Sequence, residues 1–228
     1  MIGPIKLRRK RILVDVDTQN DLLVAAGSGC IKNHRRVLMN IRRMVAWARA
    51  KGIKSVSTVL CRPANSDKRF CIDGSQGQKK VSYTLRRKRI SFAADNSTDL
   101  PRDIFTNYEQ VILAKRVDDP FEEPRAERVF TELKADEFIV IGAPAESSVS
   151  ATVLGLLQRG KKVVVVTDAI GVYERKDAEI AFRKWQAKGA VLVETKDLAG
   201  ATHLKTAGIC DCKICKLVEK ELQTQASA

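Results

Sequence analysis

Apolar residues come in short runs along this chain, separated by polar segments of changing period. The runs at 11–17 (RILVDVD), 53–60, 110–114, 138–141 (FIVI), 162–167 with its four valines, and 190–194 each read as a strand buried on both faces. Between them the apolar period lengthens. Val37, Leu38, Ile41, Val45 and Ala48 fall at helical spacing and predict a helix over 34–50, stopped by Gly52. Helices are also predicted over 121–135, entered at Asp119-Pro120, over 147–158 and over 175–187. Strands alternating with helices predict an α/β fold: three layers, α/β/α, around a mainly parallel, Rossmann-like sheet of six strands. The polar stretch 61–100 interrupts the pattern and predicts at most a minor strand from Val81 to Leu85.

Composition narrows the class. The 228 residues suit one domain with a sizeable core, and the charged fraction of 30% suits a water-soluble chain. No apolar run approaches the roughly 18 residues of a membrane span. The basic start, MIGPIKLRRKRI, has no apolar signal region, which predicts a cytoplasmic protein. Six cysteines in such a chain predict no disulfide framework. The formal net charge of +14 attracts anions, either small ones or nucleic acid. The basic clusters at 6–11, 34–36 and 86–89 carry no interleaved aromatics, so each reads as a solvated basic face.

Three predicted strands end in residues that can do chemistry. The first ends VDVDTQNDLL, placing Asp17 at a carboxyl end with Gln19 and Asp21 beyond it. The third ends VILAKRVDDPF, with Lys115 at the end. The fourth runs into GAPAESSVSAT, a glycine turn opening a helix, with Ser148 near its start. A carboxylate, an ammonium and a hydroxyl at three strand ends fit proton transfer or anion binding at an open parallel sheet.

These three segments together resemble the isochorismatase-like superfamily of cysteine hydrolases, which includes nicotinamidases, over roughly residues 11–195. The first is similar to the D-x-Q-x-D-F motif, with Leu22 for the phenylalanine. The resemblance implies that Asp17 is the acid/base residue, Lys115 its partner and Gln19 a substrate neighbour. Gly142, Val149 and Thr152 keep the spacing of the nucleophile segment, but the cysteine position holds Ser148. The oxyanion amides fall at Pro144 and Ser148, and proline has no N–H. Losing one such donor costs about 3 kcal/mol in the transition state, and a serine without a base is a poor nucleophile. Covalent amide hydrolysis is therefore not expected. The family's cis peptide falls at Ala143-Pro144, which is expected to be cis. Ala145 would lie beside the substrate.

Where metal-dependent nicotinamidases carry an aspartate and two histidines, this chain has Leu60, Arg62 and Phe70. None of these replaces an oxygen or imidazole ligand, so catalysis is expected to need no metal. Arg62 and Phe70 would instead line the pocket, Arg62 favouring an anionic ligand. Residues 1–195 are then the hydrolase domain and 196–228 a tail. The tail's Cys210, Cys212 and Cys215 could hold a structural zinc, with His203, Cys61 or Cys71 as fourth ligand. The resemblance also implies self-association as a homo-oligomer. Two functions follow. One is a hydrolase-like protein acting non-covalently on a small anion, as isochorismatases do when an aspartate protonates a vinyl ether. The other is an inactive member serving as a basic scaffold for a partner or nucleic acid.

Overall fold

The structure, a computed structural model, describes residues 10–200. Its centre is β1 (Arg11–Val16), flanked by β2 (Lys54–Leu60) and β5 (Glu137–Gly142), and every strand pair is parallel. The sheet has seven strands in the order β3-β4-β2-β1-β5-β6-β7. The six expected strands are present, as β4 (Gln110–Lys115), β6 (Val163–Ile170) and β7 (Val191–Val193) besides those three. The seventh is β3 (Arg89–Phe92), a half-exposed edge strand. The segment expected as a minor strand is instead a 3-10 turn at Ser82–Thr84. The reason is local. Tyr83 donates its hydroxyl to the Leu38 carbonyl and Thr84 donates to Val81, which curls the chain.

Alternation along β1 sorts the core into two halves. Ile12, Val14 and Val16 pack with Val111, Leu113 and Val140 beneath α4 (Pro124–Glu132), α5 (Ser150–Gln158) and α6 (Arg175–Ala187). Leu13, with Ile139, Ile141 and Val166, packs on the other face under α2 (His34–Ala50) and α7 (Thr195–Ala199). Three short helices, α1 (Asn20–Leu23), α3 (Ile104–Asn107) and α7, complete the order. The chain winds one way from β1 to β2 and the other way from β5 to β6. The carboxyl ends of β1 and β5 therefore flank a topological switch point, where ligand sites form in such sheets.

Two features shape that point. Gly142 has φ +129° and lies so close to Val16 that a Cβ would meet the Val16 carbonyl oxygen at 1.9 Å. After the cis Ala143-Pro144 peptide the chain makes one π-helical turn, Ala145–Val149, before α5 begins. The helix expected from residue 147 thus opens as a π turn, a form concentrated at functional sites.

Candidate active site

Three strand ends converge here. The Lys115 ammonium lies 2.8 Å from Asp17 Oδ2 and donates to Ser148 Oγ at 3.0 Å. It also donates to the carbonyls of Val117 and Asp118 at 3.1 and 3.0 Å. Four oxygens thus surround three N–H bonds. Asp17 owes its aim to its backbone. Its φ of +46° is left-handed, which aspartate tolerates better than most residues. Its Oδ1 accepts from Thr58 Oγ1 at 2.6 Å, and its amide donates back to the same hydroxyl. Asp17, Lys115 and Ser148 are fully buried.

A fourth group completes the cluster. Asp118 Oδ1 accepts from Ser148 Oγ at 3.2 Å and faces Arg62 Nη2 at 3.5 Å. The Arg62 guanidinium carbon lies 5.0 Å over the Phe70 ring, and Arg62 Nε is buried without an acceptor. Arg62 and Phe70 therefore stand together at the edge of the cluster. Burial pushes the nearby Cys71 thiol far up, with the Asp17 carboxylate adding to the shift. Cys61 is raised for the same first reason.

Two expected neighbours are used otherwise. Gln19 is fully buried, and its amide is spent on backbone: Nε2 donates to the carbonyls of Leu60 and Gln78, while Oε1 accepts from the Leu60 amide. Ala145 is also buried, and its amide donates to Gly171 at 2.8 Å. Neither presents a polar group to a ligand in this structure. Thr58 and Asp118 escape a reading of the sequence. Register identifies Thr58, which sits two rows before the end of β2. Asp118 carried one signal, its place beside the Asp119-Pro120 helix entry.

The chemistry follows from these contacts. Lys115 Nζ donates to Ser148 Oγ and to two carbonyls, so it is placed as a donor to Ser148 and not as an acceptor of its proton. Pro144 offers no N–H and the Ala145 amide is engaged, so no pair of amides faces Ser148 from the turn before it. Among the described residues no three His, Cys, Asp or Glu side chains gather to hold a metal. Cys210, Cys212, Cys215 and His203 lie outside the described residues.

The sequence profile of the isochorismatase domain matches residues 11–197. The chain belongs to the isochorismatase family. Solved structures agree on the fold. A pyrazinamidase of Pyrococcus horikoshii in complex with zinc is 20% identical, covering 81% of this chain and 99% of its own, with a TM-score of 0.64. The nicotinamidase/pyrazinamidase PncA of Bacillus subtilis is 16% identical, covering 81% of this chain and 100% of its own, at 0.64. A MAR1 ribonuclease from Caenorhabditis elegans is 22% identical, covering 93% of this chain and 88% of its own, at 0.57. At such identities the likeness carries the fold and not the activity. No curated protein matches the chain. This family member keeps the Asp17–Lys115 contact and has serine beside it.

Proposed function

We propose that this isochorismatase-family protein binds a small carboxylate-bearing molecule non-covalently at the β1, β4 and β5 strand ends. The observation that carries the reading is Asp118. Its carboxylate sits between the Ser148 hydroxyl and the Arg62 guanidinium, an arrangement suited to an anion from outside. Asp118 is half-buried and stands on a loop, so it can leave where Asp17 cannot. A ligand carboxylate in its place would gain Arg62 Nε as a further donor. Ser148 then serves as a hydrogen-bond donor rather than a nucleophile. Acid/base chemistry on a bound ligand falls to Asp17, whose carboxylate, paired with Lys115, must first take up a proton from solvent before it can protonate a vinyl ether.

The test is calorimetric titration with a panel of small carboxylates, using the wild type, Asp118→Asn and Arg62→Gln. If Asp118 is an internal competitor, removing its charge tightens anion binding about tenfold or more, the worth of one charge-assisted hydrogen bond. Arg62→Gln loosens it by a similar factor. Unchanged affinity in both variants would sink the reading. Hydrolysis of a vinyl ether, with Asp17→Asn as control, then asks whether bound ligand turns over.

A further inference from the structure

A second region adjoins that site and shares only Arg62 with its named residues. A cleft of about 1600 Å³ opens over β2, β4 and β3, on the sheet face that α2 and α7 leave bare toward that edge. None of Asp17, Lys115 and Ser148 lines it. Its floor is apolar, with Val59, Ile112, Ala114 and Phe92. The volume exceeds the roughly 300–1000 Å³ of usual small-molecule sites, so it fits a segment of polymer.

Two of its borders are basic segments that contain no carboxylate. One is α2, which carries five arginines and no acidic residue; its Met39 and Arg42 border the cleft, and Arg35 lies one turn before Met39 on the same side. Arg35 and Arg36 occupy the first turn, where positive charge opposes the helix dipole. Helix stability does not explain them. The other wall is the segment 79–89, which has no acid; its exposed Lys79 and Arg89 line the cleft, while Lys80 is buried against Asp15 and Arg86 donates to the Ile53 carbonyl. Arg49 ties the two walls together, donating to the carbonyls of Tyr83 and Leu85. Burial first, then the nearby Arg49, pushes Arg86 down to about 10. Two carboxylates also border the cleft, Asp21 buried and Asp73 exposed. Asp21 accepts from the amides of Ser28 and Cys71, and Asp73 from Gln78.

We propose that this cleft binds single-stranded nucleic acid, with bases on the apolar floor and phosphates along the two basic walls. Isolated along the sequence, the basic runs read as solvated faces; folding brings Arg42 of α2 and Lys79 and Arg89 of the other wall to the rim of one apolar trough. Charge argues against a second copy as the occupant, since it would bring the same +14. An apolar floor with a basic rim matches what single strands require: a backbone track and a surface for bases.

The experiment is fluorescence anisotropy with labelled single-stranded RNA, single-stranded DNA and duplex of about 12 nucleotides, within the size range of single-strand sites, on the full chain. Neutralising about four phosphates predicts a log–log salt slope near −3, or about 50-fold weaker binding on going from about 50 to 200 mM salt. Lys79→Glu with Arg89→Glu should cost tenfold or more and flatten the slope; both residues are exposed. Arg183→Glu with Lys184→Glu on α6 makes the same charge change on the opposite face and should cost no more than about threefold. Tight binding of either single strand, with that contrast, supports the proposal. Equal losses in the two double variants, duplex binding as tight as single strands, or equally effective competition by polyglutamate each overturns it. The carboxylate titration on the cleft variants should stay at wild-type affinity, which keeps the two sites distinguishable.

Discussion

Two residues apart, Asp15 on β1 and Asp17 just past its end each meet a lysine at 2.8 Å, and both pairs are buried. By distance and exposure alone they are twins. Their surroundings differ. Asp15 follows strand alternation and meets Lys80 and Ser57; Gln110 in turn donates to Ser57. Asp17 breaks alternation through its positive φ and meets Thr58 instead, the next residue on β2, whose side chain points to the other face. One backbone angle thus sends neighbouring carboxylates to opposite sides of the sheet. The Asp15 pair is locked in a network across β1, β2 and β4. The Asp17 pair sits at a strand end, beside a half-buried aspartate on a loop. A buried ion pair does not by itself mark a site; the neighbours that can move away do.

The largest effects should come from breaking either pair. Lys80→Met or Lys115→Met leaves a buried carboxylate alone, and each should cost about 3–5 kcal/mol in denaturant unfolding. The repairs should then differ. Asp15→Leu combined with Lys80→Met replaces both charges by apolar groups on a regular strand and should recover most of the loss. Asp17→Leu combined with Lys115→Met should not, because leucine at φ +46° is strained by about 1–3 kcal/mol. Equal recovery at both would erase the distinction.

A smaller effect separates the two hydroxyls that serve the pairs. Thr58→Val removes a donor to Asp17 Oδ1 and the acceptor of the Asp17 amide, and should cost about 2–3 kcal/mol. Ser57→Ala leaves Asp15 with Lys80 and leaves Gln110 bonded to the Thr84 carbonyl. It should cost about 1 kcal/mol. Chemical denaturation of the two variants side by side checks the order.

How much of this could be read from sequence follows from where each signal lives. The buried strands announced themselves as apolar runs, because a parallel sheet covered on both faces needs them. β3 did not. It offers only Ile90 and Phe92 after a basic run, which is what a half-exposed edge strand looks like. Resemblance named Asp17, Lys115 and Ser148, and their meeting is a matter of strand order. Gln19 kept the motif's residue type but turned its amide to the backbone of β2, a choice set by register rather than by local pattern. Thr58 was invisible for the same reason, and Asp118 showed only its place beside Asp119-Pro120: their partners come from other strands and loops.

The smallest effect should come from a third pair, at the surface. Arg159 Nε donates to Glu127 Oε1 at 3.1 Å where α5 meets α4, with both side chains partly in water. Screening limits such a pair to about 0.2–1 kcal/mol, so Glu127→Gln should cost no more. Its pH dependence has a definite sign. The hydrogen bond from Arg159 first, and that from Thr131 as well, hold the Glu127 carboxyl below its ordinary value of 4.5. The unfolded chain therefore binds the proton more readily than the folded one. The stabilisation is present above about pH 4.5 and fades as pH falls through the lower folded value. Stability curves of the wild type and Glu127→Gln should run parallel near neutrality and converge in acid. A gap at pH 7 as large as that of Lys80→Met would mean that burial is not what separates strong pairs from weak ones in this fold.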